Sequence, residues 1–294
     1  MTDAVLRGAE ASIAKGSQSF AAAARIFPAD VRADCVMLYA WCRHADDVID
    51  GQDLGHAQRA DFRAGQRARL VTLRAQTEAA LHGAPQTDPV FESLRRVVER
   101  NAIPPRHPLA LIDGFAMDVE EKHYATTDDL LTYCYHVAGV VGVMMAQIMG
   151  VRDERTLDRA SDLGIGFQLT NIARDVMEDA AAGRCYIPDD ILAATPTRYA
   201  AALRLLDMAE AYYDSALDGI AELPPRSALA IAAARRVYRA IGEKLRKGGP
   251  EAWERRISTT KAEKAALFTA ALGDVARSRF RTPSPRVGLY SRPS

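Results

Sequence analysis

Apolar residues recur along this chain mostly three and four positions apart, which is the period of an amphipathic α-helix. The alternation of Val, Ile and Thr with polar residues, which indicates a strand, is nearly absent. Prolines interrupt the helical pattern and predict helix boundaries at Pro28, Pro104–Pro105, Pro108, Pro188 and Pro224–Pro225. No internal repeat is visible. The pattern therefore predicts an all-α fold in which many helices pack around one central cavity.

The segment Leu130–Val151 contains no Asp, Glu, Lys or Arg. It is long enough to cross a bilayer, for which about 20 residues suffice. Polar side chains at Thr132, His136 and Gln147 interrupt its apolar character. We therefore interpret the segment as a helix that is buried on most sides, with a membrane span as the alternative.

The size of the chain is ample for a large core, since it has 294 residues of which 48% are hydrophobic. Length alone suggests about two domains of roughly 150 residues each. The motifs described below extend over most of the chain, however, and predict one all-α domain over residues 1–276. The tail, residues 277–294, differs because after Asp274 the chain holds five Arg and three Pro and no acidic residue. We expect this tail to be disordered, either solvated or in contact with anionic lipid.

Charge and cysteine usage narrow the functional classes. Lys+Arg and Asp+Glu both number 38, so the net charge gives no reason to expect nucleic acid as a partner. The cysteines form no CxxC pair and no zinc-site spacing, and we interpret them as small buried apolar residues in a reducing cytoplasm. The first ten residues lack the apolar run of a signal peptide, which also favours the cytoplasm. The four cysteines are Cys35, Cys42, Cys134 and Cys185.

A first acidic motif follows Tyr39 in the predicted helix around residue 45. Asp46 and Asp50 are four positions apart and therefore lie on one helix face. At about 100° per residue, Val36, Tyr39 and Arg43 fall on the same narrow stripe. The stripe thus changes from apolar to acidic along one face, which predicts a cavity with an apolar depth and an acidic mouth. A solvated acidic patch at a helix end is the alternative.

A second motif repeats this arrangement further along the chain. Gln168, Asn171, Asp175 and Asp179 fall within about 80° of each other on a helical wheel. Burial of such a polar row is costly unless its groups have partners. We interpret the row as facing the cavity, with an unusually polar exposed face as the alternative.

Together the two motifs indicate a metal-dependent reaction of a diphosphate. Carboxylates are hard oxygen ligands that suit Mg²⁺, with Mn²⁺ as the alternative. Mg²⁺ usually binds through a few carboxylates together with substrate phosphates, and it stabilises a departing phosphate group. Departure of a diphosphate from carbon leaves a carbocation, which an apolar cavity protects from water.

These residues resemble the squalene/phytoene synthase family, which carries two DxxxD motifs. Further runs also match, and the runs YCYHVAGVVG and MMAQIMG are most similar to bacterial phytoene synthases. A weaker match lies at Val237-Tyr238. The matching runs are Ser17–Phe20 to the family's SxSF segment, Tyr39–Arg43 to YAxCR, Tyr133–Gly142 to YCxxVAGxVG, and Gln168–Asp179 with Gly183–Pro188 to the second signature.

The resemblance implies an isoprenoid-synthase fold and a prenyltransferase. Its expected reaction, in carotenoid biosynthesis, joins two geranylgeranyl diphosphates head to head, through a cyclopropyl intermediate, to phytoene. The resemblance implies metal binding by Asp46, Asp50, Asp175 and Asp179, and we add Asn171. It implies diphosphate contacts for Arg43, Gln168, Asn171, Arg174 and Tyr186. Arg174 and Tyr133 are counted as catalytic together with the four aspartates. It assigns the substrate surroundings to Ser17, Ser19, Phe20, Tyr39, Tyr133, Val141, Gly142 and Tyr238.

Other functions stay open on the sequence. Residues Asp46–Asp50 also fit DDxxD, the motif of chain-elongating prenyltransferases and terpene cyclases, although the second signature argues against them. A squalene or dehydrosqualene synthase would use farnesyl diphosphate. Squalene synthase would also need a reduced nicotinamide, but no dinucleotide fingerprint is present, so no NADPH is expected. A non-catalytic helical assembly factor would have lost acidic ligands that this chain keeps. Long hydrocarbon substrates favour peripheral contact with the cytoplasmic face of a membrane, and the oligomeric state carries no prediction.

Overall fold

A computed structural model describes residues 4–16, 23–52, 62–254 and 257–293. In these residues the regular structure is helical and no strand occurs, so the all-α prediction is confirmed. A π-helix occupies Tyr135–Gly139 and a 3₁₀ helix occupies Pro250–Glu254. The α-helices are α1 (Ala4–Gly16), α2 (Ala29–Asp50), α3 (Gln66–Leu81), α4 (Pro89–Asn101), α5 (Arg106–Val119), α6 (Thr127–Cys134), α7 (Val140–Ile148), α8 (Glu154–Ala181), α9 (Asp189–Ala194), α10 (Arg198–Ile220), α11 (Pro225–Gly248) and α12 (Lys261–Phe280).

Proline explains where several helices begin. Pro28, Pro105, Pro188 and Pro224 are the residues immediately before α2, α5, α9 and α11. A proline at a helix start loses no hydrogen bond, because the first amides of a helix have no partner within it. Pro108 instead lies within the first turn of α5. The predicted boundaries are therefore mostly confirmed.

The chain forms two compact units, the first of which comprises Met1–Glu120 and Met144–Val151. In this unit α2 packs against α1, α3, α4 and α5. Its core face is formed by Leu38, Trp41, Ala45 and Ile49, which are almost completely buried and recur at helical spacing. The acidic stripe of α2 lies beside this core face.

The second unit comprises Glu121–Val143 and Arg152–Ser294. Its longest helix, α8, packs against α10, α11 and the π-helix. Glycine permits a very close approach here, since a Cβ on Gly142 would lie 2.3 Å from the Ala160 carbonyl oxygen. A Cβ on Gly164 would likewise lie 2.3 Å from the Ala138 carbonyl oxygen. Gly142 of α7 and Gly164 of α8 therefore allow close backbone packing between α8 and the helical stretch of the π-helix and α7.

Most of the uncharged segment Leu130–Val151 lies in one helical stretch, Thr127–Ile148. By length and composition alone, this stretch could cross a membrane. Its mean hydropathy is 1.3, and 61% of its most apolar window is buried within the protein. Such burial is what the buried-helix interpretation predicts. The π-helix widens the turn between α6 and α7, a feature that is frequent at functional sites.

The prediction that residues 277–294 are disordered is wrong for the described part of the tail, residues 277–293. Helix α12 continues to Phe280, beyond residue 276, and the following segment contacts α8 and α10. The Ser284 amide donates to the Asp218 carboxylate at 2.8 Å, and Arg286 binds Asp162. The physical reason is charge compensation, because the acidic partners of the tail lie more than 60 residues earlier in the sequence. The composition of the tail alone could not reveal these distant acidic partners.

The cysteines are only partly as predicted. Cys35 and Cys134 are buried, but Cys42 is half-buried and Cys185 is exposed. Burial raises the pKa of Cys42 to about 12, so its thiol stays protonated at neutral pH. No disulfide joins them.

Candidate active site

The first acidic motif lies on α2, next to the face that is buried in the core. Arg43 Nη1 is 2.6 Å from Asp46 Oδ2 and 3.8 Å from Asp47 Oδ1. The side chains of Arg43 and Asp46 keep 24% and 38% of their surface exposed, so the pair is neither in the core nor fully solvated. Asp50 and Tyr39 are half-buried on the same helix. The motif thus presents a carboxylate row with one guanidinium beside it.

The charge balance of this row is unfavourable for the free carboxylates. Burial raises the pKa of Asp46 to about 7, with further contributions from Asp50, Asp47 and Asp118, while Arg43 opposes the shift. Asp118 belongs to α5 and has no place in any motif read from the sequence. A divalent cation would relieve the repulsion between these side chains.

A cavity of about 570 Å³ opens within the first unit. Arg43 and Asp47 line it together with Gly8, Ala9 and Ser12 of α1, whereas Asp46 and Asp50 do not. This cavity therefore lies beside the carboxylate row of the motif and does not contain it. Arg43 belongs to both, since its side chain also pairs with Asp46.

The second acidic motif lies on α8 and repeats the pairing with arginine. Arg174 Nε donates to Asp175 Oδ1 at 2.7 Å, and its Nη2 donates to Asp175 Oδ2. The polar row Gln168, Asn171, Asp175 and Asp179 is half-buried throughout. Glu178, four residues after Arg174 on the same helix, is exposed, and the ion pair of Arg174 is with Asp175.

Three tyrosines form an aromatic cluster in the second unit. The rings of Tyr133 and Tyr186 stack with centroids 5.1 Å apart and an interplanar angle of 22°. Tyr124 contacts both, with centroid distances of 5.4 Å to Tyr133 and 6.1 Å to Tyr186. The structure thus brings together two residues predicted for the site. It adds Tyr124, which could not be predicted from the sequence because it matches no run of the family.

Tyr238 of α11 lies against α8. Its ring stacks on Phe167 with centroids 4.0 Å apart and an interplanar angle of 20°. Phe167 is the residue before Gln168, so the weakest of the predicted matches packs against the helix that carries the second motif. Val141 and Gly142 are half-buried on α7. Ser17, Ser19 and Phe20 lie outside the described residues.

Each motif can contribute ligands to a metal site, but neither motif supplies a complete set of ligands by itself. Among the described residues, no group of three or more His, Cys, Asp or Glu side chains is arranged to hold a metal ion. The donors that are present, paired carboxylates and the amide of Asn171, are oxygen ligands that fit Mg²⁺ or Mn²⁺. Such a set suits a metal that takes its remaining ligands from substrate phosphates.

The fold and these motifs define a helical enzyme class that acts on prenyl diphosphates. The family model for squalene/phytoene synthase matches residues 13–263. The chain therefore belongs to the squalene/phytoene synthase family, as its motifs predict.

Curated relatives match along the whole chain. The 15-cis-phytoene synthase of Paracoccus sp. (strain N81106 / MBIC 01143) is 56% identical, and the alignment covers 100% of this chain and 99% of that protein. The 15-cis-phytoene synthase of Pantoea ananas is 49% identical, with 98% of each chain covered. The predicted similarity to bacterial phytoene synthases is confirmed.

A solved structure confirms the predicted fold. A dehydrosqualene synthase in complex with ligand superposes with a TM-score of 0.80 and is 26% identical. The superposition covers 93% of this chain and 97% of the other. The isoprenoid-synthase fold expected from the sequence is thereby confirmed.

Proposed function

We propose that this chain is a prenyltransferase of carotenoid biosynthesis that converts two molecules of geranylgeranyl diphosphate into phytoene. The observation that carries the proposal is full-length identity of 56% and 49% to two 15-cis-phytoene synthases. Both acidic motifs and both arginines paired with them are present, which argues against a non-catalytic assembly factor.

The reaction breaks two C–O bonds in sequence. The first diphosphate leaves with the electron pair of its C–O bond, and the resulting carbocation adds to a double bond of the second molecule. Loss of one proton closes the cyclopropane ring of the intermediate. The second diphosphate then leaves with its electron pair, the carbon skeleton rearranges, and loss of a second proton gives phytoene. Two diphosphates and two protons are released for each phytoene.

The side chains have distinct roles in this proposal. Arg43 and Arg174 exchange part of their pairing with Asp46 and Asp175 for phosphate oxygens, which the planar guanidinium binds in a fork. Gln168, Asn171 and Tyr186 add neutral hydrogen bonds to the diphosphate. The remaining predicted residues line the hydrocarbon: Ser17, Ser19, Phe20, Tyr39, Tyr133, Val141, Gly142 and Tyr238.

Mg²⁺, with Mn²⁺ as the alternative, would be held by Asp46, Asp50, Asn171, Asp175 and Asp179. When bound, it supplies charge neutralisation for the departing diphosphate. The carboxylates would hold the metal, and their mutual repulsion would fall when it is bound. No NADPH is required, because the last step is loss of a proton.

We also propose a cytoplasmic enzyme that contacts the cytoplasmic face of a membrane. The substrate carries a long hydrocarbon chain and the product is a hydrocarbon. Both properties favour uptake of the substrate from a lipid surface and release of the product into it. Helix α12 carries exposed apolar side chains, with Phe268 at 37%, Leu272 at 52% and Phe280 at 91% exposure. Arg277 and Arg279 in its last turn suit anionic lipid.

The discriminating experiment is product analysis with each diphosphate. The purified protein is incubated with Mg²⁺ and either geranylgeranyl or farnesyl diphosphate, with and without NADPH. We expect a C40 hydrocarbon from geranylgeranyl diphosphate without NADPH. A C30 product made only from farnesyl diphosphate would instead identify a dehydrosqualene synthase. A strict requirement for NADPH, with a reduced product, would identify a squalene synthase.

A further inference from the structure

The loop between α8 and α9, together with the first turn of α9, is attached to the segment that precedes α6. The amide of Asp189 donates to the Tyr124 carbonyl at 3.1 Å, and the amide of Asp190 donates to the Ala125 carbonyl at 3.3 Å. These two backbone bonds join positions more than 60 residues apart in the sequence. They bring the chain after Tyr186 alongside the chain that leads to Tyr133.

The Asp190 side chain adds a second attachment at the same place. Its Oδ2 accepts from the Thr127 amide at 2.8 Å and from the Thr127 hydroxyl at 2.9 Å. A carboxylate that accepts two hydrogen bonds forms a strong link, because charged acceptors bind more tightly than neutral ones. The attachment therefore joins two segments through a side chain and through the backbone.

Helix α6 also carries a cap within its own segment. Thr126 and Asp129 already form a complete capping box, in which the Thr126 hydroxyl accepts from the Asp129 amide and Asp129 accepts from the Thr126 amide. Asp190 binds the next amide, that of Thr127, from a distant part of the chain. Its bond therefore satisfies an amide that the capping box leaves open and, at the same time, holds the start of α9 against the start of α6.

The loop positions one ring of the tyrosine cluster. Tyr186 lies four residues before Asp190, and Tyr124 lies three residues before Thr127. The attachment thus spans the two short segments that carry these rings. Tyr133, six residues after Thr127 in α6, contacts Tyr124 and stacks on Tyr186 with ring centroids 5.1 Å apart. A shift of the loop would change that stacking distance directly.

We infer that Asp190 is a positioning residue, which fixes the stack of Tyr186 on Tyr133 by binding Thr127. The inference rests on the proposed function, in which both tyrosines contact the substrate. Reaction rates are sensitive to such geometry, since a displacement of about 1 Å can cost on the order of 100-fold. The role of Asp190 is exerted through the tyrosines and requires no contact of its own with substrate.

The neighbouring acid provides a matched control. Asp189 is also exposed, next to Asp190 in the first turn of α9, and its carboxylate pairs with exposed His123 at 2.8 Å. Asp189→Ala therefore removes one negative charge from the loop but leaves the bond to Thr127 in place. Asp190→Asn removes the charge too, yet retains an oxygen that can accept from Thr127. Both residues lie at the surface, so neither substitution removes core packing.

The test compares kcat, KM and released intermediate for Asp190→Ala, Asp190→Asn and Asp189→Ala. We expect Asp190→Ala to lower kcat about tenfold or more, by the geometric sensitivity above, with a smaller change in KM. We expect it to release more of the cyclopropyl intermediate. Asp190→Asn and Asp189→Ala should stay within about twofold of the parent chain. Equal kcat and equal intermediate release for Asp190→Ala and Asp189→Ala, per folded molecule, would overturn the inference.

Hydrogen exchange separates this inference from the proposed function. In Asp190→Ala the amides of Thr127 and Asp190 should exchange faster than in Asp189→Ala. If the parent chain makes a product other than phytoene, the proposed function fails. In that case kcat for the observed product is compared between Asp190→Ala and Asp189→Ala. Together with the exchange rates, this comparison still tests whether Asp190 positions the tyrosines. Unchanged exchange at both amides would show that the side chain does not hold the loop.

Discussion

Arg286 forms a two-pronged ion pair with Asp162: its Nε donates to Oδ2 and its Nη2 to Oδ1, each at 2.8 Å. Asp162 has no exposed surface, and Ser215 donates a further hydrogen bond to its carboxylate. Burial raises the pKa of Asp162, while the bonds from Arg286 and Ser215 oppose the shift. A buried carboxylate of α8 thus depends on an arginine of the tail.

Loss of Arg286 should therefore destabilise the second unit. Removing one partner of a buried pair costs about 3 to 5 kcal/mol, because the other charge stays buried without compensation. We expect a clear fall in melting temperature for Arg286→Ala and for a chain truncated after Arg281. Thermal unfolding followed by circular dichroism measures the change.

Arg277→Ala is the control for this prediction, since Arg277 is exposed on α12. It should leave the melting temperature nearly unchanged. The double variant Asp162→Ala/Arg286→Ala should lose less than the sum of the single losses, because it leaves no buried charge unpaired. A truncated chain that melts with the parent would show that the tail contributes nothing to stability.

Glu92 makes a testable contribution to the pH dependence of stability. Hydrogen bonds from Arg95 lower its pKa to about 2, helped by Arg96 and the Gln86 amide and opposed by burial. The folded pKa is thus below the ordinary glutamate value of 4.5, so the ionised form favours the folded state. This contribution is complete above about pH 5 and disappears as the pH falls towards 2.

Glu92→Gln should accordingly reduce stability at neutral pH by about 1 to 2 kcal/mol, once solvent screening is allowed for. The difference from the parent should shrink between pH 5 and pH 2. Urea unfolding at pH 3, 5 and 7 measures it. Glu99→Gln is the control, because Glu99 also pairs with Arg95 but is 73% exposed. A loss for Glu92→Gln that does not vary with pH would contradict the assignment.

Local spacing accounts for what the sequence could predict of the site. Asp46 and Asp50, like Asp175 and Asp179, are four residues apart, so the helical period alone puts each pair on one face. Their arginine partners lie within four residues of them, so the helical period predicts their positions as well. The all-α fold follows from the same period, and the family resemblance assigned the chemistry to these positions.

Contacts between distant segments account for what could not be predicted. Asp118 approaches Asp46 from another helix, and Asp190 binds Thr127 across 63 positions. The tail is the clearest example, because the pair of Arg286 and Asp162 spans 124 positions. Helical periodicity contains no information on such pairs, so the basic tail resembles a disordered segment until its partners are known.

Gly164 should be intolerant of even a methyl group. An added Cβ would lie 2.3 Å from the Ala138 carbonyl oxygen and 2.8 Å from Gly139 Cα, and backbone atoms cannot move aside cheaply. Gly164→Ala should therefore destabilise by about 1 to 3 kcal/mol or more. Gly273→Ala, on α12, is the matched control, since nothing lies within 4 Å of its added Cβ. Alanine there should stabilise slightly, by helix propensity. Equal melting temperatures for both variants would contradict the close packing.

The last prediction concerns how metal and diphosphate act together on the two acidic motifs. Each motif holds carboxylates that repel one another, and Mg²⁺ needs near-octahedral oxygen ligands that these side chains do not complete. A diphosphate supplies further oxygens, so each ligand should raise the affinity for the other. A ligand at a hundredfold excess over its Kd stabilises by about 3 kcal/mol. We therefore expect a large rise in melting temperature with Mg²⁺ plus an unreactive prenyl diphosphate analogue, and a small rise with either alone.

Asp50→Asn and Asp175→Asn should remove most of that joint rise while the ligand-free proteins remain folded, because an amide binds Mg²⁺ poorly but relieves the repulsion. Glu178→Gln is the control, since Glu178 is exposed on α8 beside the motif and should keep the full rise. Thermal shift with each ligand separately and together measures all four proteins. If the two Asn variants keep both the joint rise and normal turnover, the carboxylates are only a solvated face of their helices, and the metal assignment must be abandoned.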